Sequence, residues 1–368
     1  MTFPLFAVCP PGLEPLLAAE LTERGFDGIT VQAGGVAFAG GWPEVWRACL
    51  ELRGAVRVLV EIARFRVVHL SQLDKSARRV EWAAVLPAGT PVRVEASCRH
   101  SKIYHDGAAR ERLETALAAA GMTLDAEAGL TVRARIDDNV CTISLDAAGE
   151  PLFKRGHKQA VGKAPLRETL AALFLRACAY DGAEPVLDPL CGSGTFVIEA
   201  AEIAADLQAG RARSFAFERL KSFDAQAFAA LKRAPADPGV PPGTWRGFGF
   251  DRDMSAIKAA QANAARAGVT DLTAFAARPV AELERPDGPP GLVIVNPPYG
   301  ARLGNTAALR SLYATLGRRL KASFTGWRVG IVTSDAGLAK ATRLPFGPPG
   351  PVVDHGGLKI RLWTTKPL

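Results

Sequence analysis

The tetrapeptide Asn296-Pro297-Pro298-Tyr299 closes the apolar run GLVIVNPPYG at 291–300, which is typical of a buried strand. Neither proline has an N–H group, so the hydrogen-bond ladder of such a strand stops at Asn296. The prolines also hold Asn296 extended and leave the carbonyl groups of Asn296 and Pro297 free to accept hydrogen bonds. Rigid acceptors at a strand end are suited to hold the two N–H groups of an amine.

Acceptors of this kind indicate methylation of an exocyclic amine on a nucleobase. The lone pair of an aromatic amine is delocalised into its ring, which makes the nitrogen a poor nucleophile. If Oδ1 of Asn296 and the Pro297 carbonyl each accept one N–H, the nitrogen moves towards tetrahedral geometry and its lone pair points at a methyl donor. Tyr299 would supply a ring on which a flipped base can stack. A plain proline turn with a surface tyrosine is the structural alternative.

A glycine turn occurs earlier, in VLDPLCGSGTFVIEAA at 186–201, between an apolar strand and a helix. Gly192 and Gly194 let the backbone turn sharply and approach a ligand without a Cβ clash. The loop differs from G-x-x-x-x-G-K-[ST] and has no lysine for a triphosphate, and it also differs from the G-x-G-x-x-G of dinucleotide sites. The pattern therefore favours another nucleoside-containing ligand.

Two carboxylates accompany this turn. Asp188 ends the strand before the glycines, where it can face a cation such as an amino acid ammonium group. Asp251 ends a second strand, where an acid suits hydrogen bonding to ribose hydroxyls. An acid, a glycine loop and a second acid together predict a pocket for S-adenosylmethionine. The alternative is a plain strand–helix turn in which Asp188 caps the helix.

The elements that must position these residues change character along the chain. From about residue 183 the sequence repeats an apolar strand, a tight turn and a helix, which predicts a doubly wound parallel α/β sheet with its ligands at the carboxyl ends of the strands. An Arg-, Pro- and Phe-rich insertion at 207–246 interrupts the repeat. The first half predicts α+β modules with antiparallel sheets, including hairpins at 31–40, turning at Gly34-Gly35, and at 130–149.

Composition narrows the functional classes further. The 368 residues carry a formal net charge of +8, which favours an acidic partner such as nucleic acid, although a merely basic enzyme is the alternative. The six cysteines are scattered without metal-ligand spacing, which predicts no metal site, reduced thiols and a cytoplasmic location. The chain has no leader pattern and no long apolar run, so neither a signal peptide nor a membrane span is predicted.

DPLCGSGTF and NPPYG resemble the class I methyltransferases that modify amines. LFKRGHKQAVGKAPLRETLAA at 152–172, with GLEPLLAAEL, GGVAFAG, RVEASCRHSKIYH and NPPYGARLG, resembles the THUMP-containing RNA guanine-N(2)-methyltransferases over essentially the whole chain. The resemblance implies a ferredoxin-like α+β region over 1–65, a THUMP RNA-binding domain over 66–150 and a Rossmann-like catalytic domain over 151–368. Residues 151–182 would form the N-terminal lead-in of the catalytic domain. The implied substrate is the 2-amino group of a guanosine in 23S rRNA, with tRNA second.

The same resemblance implies roles for individual residues. Asn296, Pro297, Pro298 and Tyr299 would be catalytic. S-adenosylmethionine would be held by Arg155, Ala164, Pro165, Leu166, Asp188, Gly192, Ser193, Gly194, Thr195, Asp251 and Arg252. One position departs from the family pattern, because Ala277, Arg278 and Pro279 stand where an aspartate usually contacts the adenine amine. A backbone group would then have to recognise the adenine, or the cofactor would bind less tightly.

An RNA substrate requires cations that neutralise phosphates. The candidates are Arg99, Lys102, Lys154, Lys158, Lys163, Arg211 and Arg213, although charged runs are usually only solvated surface. Phe215 and Phe217 in the insertion are predicted to be core residues. Three alternatives remain open: a tRNA guanine-N(2)-methyltransferase, a DNA adenine methyltransferase, which the NPPY motif alone would also serve, and a non-catalytic RNA-binding assembly factor.

Overall fold

The computed structural model describes residues 2–159, 166–232, 247–299 and 306–368, and the chain folds into two units. The first unit comprises Met1–Cys9, Ala18–Leu152 and Arg213–Lys232, and the second comprises Pro10–Leu17, Phe153–Ala212 and Arg233–Leu368. Part of the predicted insertion therefore belongs to the first unit. Lys163, Ala164 and Pro165 lie outside the described residues.

The described residues form two sheets and a set of helices. The strands are β1 (Phe3–Val8), β2 (Asp27–Gln32), β3 (Gly35–Gly40), β4 (Arg57–Arg66), β5 (Pro91–Arg99), β6 (Thr123–Leu124), β7 (Thr131–Asp137), β8 (Val140–Asp146), β9 (Val186–Asp188), β10 (Gly247–Asp251), β11 (Thr273–Ala277), β12 (Leu292–Val295), β13 (Arg328–Thr333), β14 (Val353–His355) and β15 (Leu358–Thr364). The helices are α1 (Glu14–Glu23), α2 (Trp42–Glu51), α3 (Leu70–Ala77), α4 (Trp82–Val85), α5 (Asp106–Ala119), α6 (Glu168–Ala177), α7 (Thr195–Ala204), α8 (Ala225–Leu231), α9 (Met254–Ala267), α10 (Thr306–Ser323) and α11 (Ala336–Ala341).

The sheet of the first unit has the order β2-β3-β1-β4-β8-β7-β5-β6. Both predicted hairpins are present, although the β2–β3 turn falls at Ala33-Gly34, one residue earlier than expected, because Gln32 pairs with Gly35. Most strand pairs of this sheet are antiparallel, as predicted, but β5 departs from that prediction and runs parallel to both β6 and β7. The reason is that α5 follows β5 and returns the chain to the end of the sheet where β5 begins. The strands β6 and β7 therefore start at that same end.

Alternation of side chains builds the core of this unit. Along β5 the side chains of Val92 and Val94 are buried, and α5 buries Leu113 and Leu117 one turn apart. Phe215 and Phe217 stack with ring centroids 5.0 Å apart and are almost fully buried, in a cluster with Trp46, Phe223 and Phe228. The prediction that these two phenylalanines are core residues is confirmed.

The second unit has the predicted doubly wound sheet, with the order β11-β10-β9-β12-β13-β15-β14. Strands β9 to β13 pair in parallel, and β15 is antiparallel to its two neighbours. From β9 the sheet grows through β10 and β11 on one side and through β12 and β13 on the other. This reversal is a topological switch point, where the loops after neighbouring strands diverge and leave a crevice at the carboxyl ends.

Local sequence explains where the helices around this crevice begin and end. The Asp253 side chain accepts a hydrogen bond from the Ser255 N–H at the start of α9, and Gly268, with φ +71°, ends that helix in the left-handed conformation. Gly317 lies where α10 meets the end of α11, and a Cβ built there would come within 1.9 Å of the Thr342 carbonyl oxygen. Only glycine permits this close approach.

The substitution Gly317→Ala should therefore lower the free energy of unfolding by about 1–3 kcal/mol, because α10 must move to admit the methyl group. Ser311→Ala, at an exposed position of the same helix, should change it by less than about 0.5 kcal/mol. Urea denaturation of the two variants measures both effects. Equal stability of Gly317→Ala and the wild type would contradict the described approach of the two helices.

Candidate active site

The glycine loop joins β9 to α7 at the switch point. Gly192 has φ +52° and Gly194 has φ +86°, in the left-handed region that favours glycine. A Cβ at Gly194 would meet side-chain atoms of Ala260, Ile198 and Phe275 at 3.1–3.2 Å. The loop is also tied to the next strand, because the Cys191 N–H donates to the Phe250 carbonyl oxygen at 2.8 Å. The backbone path of the loop is therefore fixed from both sides.

Asp188 lies at the end of β9 with 3% of its surface exposed. Its Oδ1 accepts a hydrogen bond from the Leu190 N–H at 3.0 Å. The pKa of this carboxyl is raised to about 8, chiefly by burial and to a smaller extent by the nearby Asp251 charge, while the Leu190 hydrogen bond lowers it. Among the described residues no cation pairs with Asp188, so the carboxyl can ionise when a positively charged ligand reaches it.

Asp251 ends the adjacent strand β10, whose Gly249 is in register with Asp188. Its Oδ2 accepts the Gly192 N–H at 3.1 Å, and its Oδ1 accepts the Asp253 N–H at 3.0 Å. Each carboxylate oxygen has a further lone pair for a ligand hydroxyl. The two backbone bonds orient the carboxylate at the same edge of the sheet as the glycine loop.

Strand β11 ends without a carboxylate, as its sequence predicts. The Arg278 N–H donates to the Asp251 carbonyl oxygen at 2.8 Å, so this amide is already engaged. The Arg278 guanidinium lies 4.8 Å from the centroid of the Phe250 ring and pairs with Glu284 at 3.5 Å. A cation therefore occupies the position where the family pattern has an acid.

Asn296 follows β12, whose four residues are completely buried. Its Oδ1 is itself buried, and no donor among the described residues forms a hydrogen bond with it. The hydroxyl of the buried Tyr313, on α10, donates to the Pro298 carbonyl oxygen at 3.4 Å. A buried acceptor without a donor is costly, and an N–H group of a ligand could satisfy it.

Tyr299 is 7% exposed, and burial raises the pKa of its hydroxyl to about 12. The alternative of a proline turn with a surface tyrosine therefore does not describe this segment. The ring lies inside the second unit beside the carboxyl end of β12. Its stacking on a flipped base stays a prediction.

The lead-in segment is fastened to α7 by charged side chains. Arg155 is 2% exposed and pairs with Glu199 of α7 at 3.3 Å. The Lys158 ammonium group donates to the Leu166 carbonyl oxygen at 2.8 Å and to Oγ1 of Thr195 at 2.9 Å, and it pairs with Glu168 at 3.3 Å. Lys158, which sequence reasoning assigned to RNA, thus holds the first residue of α7 in place.

Sequence reasoning missed Asn263 and Tyr313. Asn263 is fully buried on α9, and its amide group donates to the Ser193 carbonyl oxygen at 3.0 Å. This bond links the glycine loop to α9. The available signal was a polar residue at helical spacing from the buried Ile257, Ala260 and Ala267. An asparagine at the edge of the apolar face, pointing to solvent, would have the same spacing. The sequence pattern therefore did not identify Asn263 as a buried residue.

Of the predicted cofactor residues, those on the glycine loop after β9 adjoin Asp251, whose Oδ2 accepts the Gly192 N–H. Arg252, which was predicted to hold the cofactor, is exposed, and so are the predicted RNA-binding residues Arg99, Lys102 and Lys154. Arg211 pairs with Glu202 at 2.5 Å. Arg213 donates to the carbonyl oxygens of Pro151 and Glu150 at 2.8 and 2.6 Å.

The described residues show neither a metal-binding cluster nor a membrane-spanning helix. They contain no group of three or more His, Cys, Asp or Glu side chains that could hold a metal ion. They also contain no helix with the length and apolar character needed to cross a membrane.

Comparison with known proteins identifies the family. The model of the RMKL-like methyltransferase domain matches residues 155–345, and that of the RlmL ferredoxin-like domain matches residues 4–59. The first match covers more than half of the chain, which therefore belongs to the RMKL-like methyltransferase domain family. The ribosomal RNA large subunit methyltransferase K/L of Chromohalobacter salexigens is 37% identical over 359 residues, which cover 92% of this chain and 49% of the relative. The chain thus spans about half the length of the curated relatives it matches.

Solved structures agree with this assignment along the entire chain. One described as a predicted N6-adenine-specific DNA methylase from Listeria monocytogenes has a TM-score of 0.89 and 27% identity, covering 100% of this chain and 97% of that one. The structure of SMU.472, solved in complex with SAH, has a TM-score of 0.86 and 25% identity, covering 100% and 98%. The likeness extends over both units.

The environment of Asp188 predicts an unusual pH dependence of stability. Its pKa is raised from 3.8 to about 8 by burial, so between those values the unfolded chain releases a proton that the folded chain keeps. The free energy of unfolding of the wild type therefore falls as the pH rises from about 4 to about 8. Above pH 8 this carboxyl causes no further change. Asp188→Asn does not titrate, so its stability relative to the wild type should improve between pH 5 and pH 8. Urea denaturation at both values tests this, and an unchanged difference would mean that Asp188 is ionised throughout.

Proposed function

We propose that this chain transfers a methyl group from S-adenosylmethionine to the exocyclic 2-amino group of a guanosine in large-subunit (23S) ribosomal RNA. The observation that carries the proposal is the buried Oδ1 of Asn296, which lacks a donor among the described residues and lies at the switch point next to the glycine loop. Membership of a methyltransferase family and the name of the curated relative at 37% identity support it.

The residues at the ends of β9 and β10 fit S-adenosylmethionine. Asp188 is a buried carboxyl that lacks a cationic partner among the described residues, and the ammonium group of a methionine moiety would provide one. Asp251 has the free lone pairs for ribose hydroxyls. Ser193 and the two glycines form the turn after Asp188, Lys158 joins Thr195 to the Leu166 carbonyl oxygen, and Arg155 pairs with Glu199 of α7. That SMU.472 was solved with SAH is consistent with this fit.

S-adenosylmethionine supplies an electrophilic methyl group on a sulfonium sulfur. Asn296 would accept one amine N–H through Oδ1, and the Pro297 carbonyl would accept the other, so that the lone pair on nitrogen is directed out of the base plane. Transfer would form the N–C bond as the S–C bond of the cofactor breaks, and one amine proton would leave to solvent. No side chain has to act as a strong base before transfer, because the acceptors are already oriented by the two prolines.

The chemistry of Asn296 does not by itself distinguish a guanine amine from an adenine amine. The Listeria neighbour is 27% identical and is described as a predicted N6-adenine-specific DNA methylase, which would favour an adenine amine. The curated relative named for large-subunit ribosomal RNA is more similar, at 37%. The proposed division of the first unit, with a ferredoxin-like region over 1–65 and a THUMP domain over 66–150, also favours RNA. Arg99, Lys102 and Lys154 are exposed and remain candidates for phosphate contacts.

The proposal is tested by offering the purified chain labelled S-adenosylmethionine with large-subunit ribosomal RNA, tRNA or duplex DNA. Digestion of each acceptor and mass spectrometry of the nucleosides identify the product. We expect label in N(2)-methylguanosine from large-subunit RNA. Label only in N6-methyladenine from DNA would overturn the proposal, and label only in tRNA would move the substrate to that RNA.

Replacing Asn296 by alanine should lower kcat by about 100-fold or more, because one preorganised acceptor is removed from the reacting amine. The dissociation constant for S-adenosylhomocysteine should stay within about 2-fold of wild type, since Asn296 acts on the amine. Single-turnover kinetics and calorimetry measure the two quantities. Near-normal turnover of Asn296→Ala would show that the mechanism is wrong.

Replacing Asp251 by alanine should act on binding instead. Loss of charge-assisted hydrogen bonds to the ribose should raise the dissociation constant for S-adenosylhomocysteine by about 10- to 100-fold. The matched control is Asp271→Ala, an exposed acid in the same unit, which should bind as the wild type does. If Asp251→Ala binds normally, another residue holds the ribose.

A further inference from the structure

One end of the first sheet carries four arginines on the same face. The strand registers place Ser97, Arg135, Thr142 and Arg64 in one row across β5, β7, β8 and β4, and Arg99, Asp137, Val140 and Arg66 in the next row. Residues two apart on a strand point to the same side, so both rows share one face. The residues between the rows, which include the buried Ile136 and Cys141, point into the core.

This face has an excess of positive charge. Arg64 pairs with Glu61 at 2.9 Å, and Arg135 pairs with Asp137 at 2.8 Å. For Arg66 and Arg99 the described part of the chain offers no carboxylate within ion-pair distance, and both are exposed. Exposed arginines in successive rows form a surface that attracts a polyanion.

The loop at 100–105 continues from β5 at this end of the sheet and is held against the β7–β8 turn. The Ser101 hydroxyl donates to the Arg99 carbonyl oxygen at 2.6 Å and accepts the Asn139 N–H at 2.9 Å. The Lys102 N–H donates to Oδ1 of Asn139 at 2.9 Å, and Nδ1 of His100 lies 3.2 Å from Oδ1 of Asp137. The loop therefore has a defined backbone conformation before any ligand binds.

Tyr104 is presented from this loop with 83% of its surface exposed, more than any other large hydrophobic side chain in the described ranges. Its neighbours are anchored on both sides: Ile103 is buried, and Nδ1 of His105 accepts the Ala108 N–H at 3.1 Å as the cap of α5. Because the backbone is fixed, binding a ligand to the ring costs little ordering entropy. A ring with this exposure serves no packing role among the described residues of the unit that carries it.

We propose that Tyr104 is a stacking platform for an unpaired base of the RNA substrate, with Arg66, Arg99 and Lys102 neutralising the adjacent phosphates. The proposal rests on the proposed function, in that the partner is RNA. Base–aromatic stacking requires a base whose face is free, which single-stranded segments offer and an A-form duplex does not. The surface would therefore bind loops or unpaired stretches in preference to helices.

The test uses the full chain and a fluorescent 12-nucleotide single-stranded RNA, with a 12-base-pair RNA duplex for comparison. Tyr104→Ala should weaken binding of the single strand by about 5- to 150-fold, the range for loss of one stacked base. Tyr104→Phe keeps the ring and should stay within about 3-fold of wild type. The matched control is Leu124→Ala, which removes another exposed apolar side chain of the same unit and should have no effect.

A second measurement addresses the arginine rows. Arg66→Ala should reduce the dependence of log K on log salt concentration for the single strand by about 0.7, the contribution of one phosphate contact. Unchanged single-strand binding by Tyr104→Ala, or tighter wild-type binding of the duplex, would overturn the platform. A wild-type chain that binds and methylates RNA while Tyr104→Ala binds equally well would leave the proposed function standing and remove only this inference. A wild-type chain that binds neither RNA would contradict both.

Discussion

The position of β9 between β10 and β12, in parallel with both, is the constraint on which the candidate active site depends. Parallel strands end at the same edge of a sheet, so every loop that follows one of these strands leaves from that edge. Asp188, Asp251 and Asn296 are far apart in sequence, yet each ends or directly follows one of the three strands. The reversal of strand order at β9 then opens a crevice between their loops, and no other edge of this sheet brings the three side chains together.

Buried polar groups keep this edge rigid. Asn263 supports the Ser193 carbonyl, Lys158 joins Leu166, Thr195 and Glu168, and Tyr313 contacts the Pro298 carbonyl. In a low-dielectric interior such bonds are stronger than in water, and polar groups without partners are costly. At the ends of β9 and β12, by contrast, the Asp188 carboxyl has no cationic partner and Oδ1 of Asn296 has no donor among the described residues. These are the groups to which a cationic cofactor and an amine substrate would be complementary.

Sequence periodicity was sufficient to predict the doubly wound sheet of the second unit, because its strands are short apolar runs separated by glycine turns and amphipathic helices. It also located Asp188, Asp251 and Asn296, since each ends or directly follows a strand. It could not anticipate that α5 makes β5 parallel to β7, because periodicity reports which side of a strand is buried and not which strand lies beside it. Periodicity also led to the interpretation of Lys158 as a surface cation. Its contacts with Glu168 and Thr195 form only in the tertiary fold, so the sequence pattern does not show them. Tyr104 carried no distinguishing pattern, and its exposure became visible only when Ile103 and His105 were seen to fix the backbone around it.

In the proposed reaction, Asn296 holds the 2-amino group of a guanosine in large-subunit ribosomal RNA. The most direct test is nucleoside mass spectrometry on the ribosomal RNA and tRNA of a strain that lacks the gene, with and without this 368-residue chain supplied in trans. We expect N(2)-methylguanosine to be reduced in the large-subunit fraction of the deletion strain, to return when the chain is supplied, and to be unchanged in tRNA. Equal amounts of N(2)-methylguanosine in the large-subunit RNA of all the strains would contradict the account.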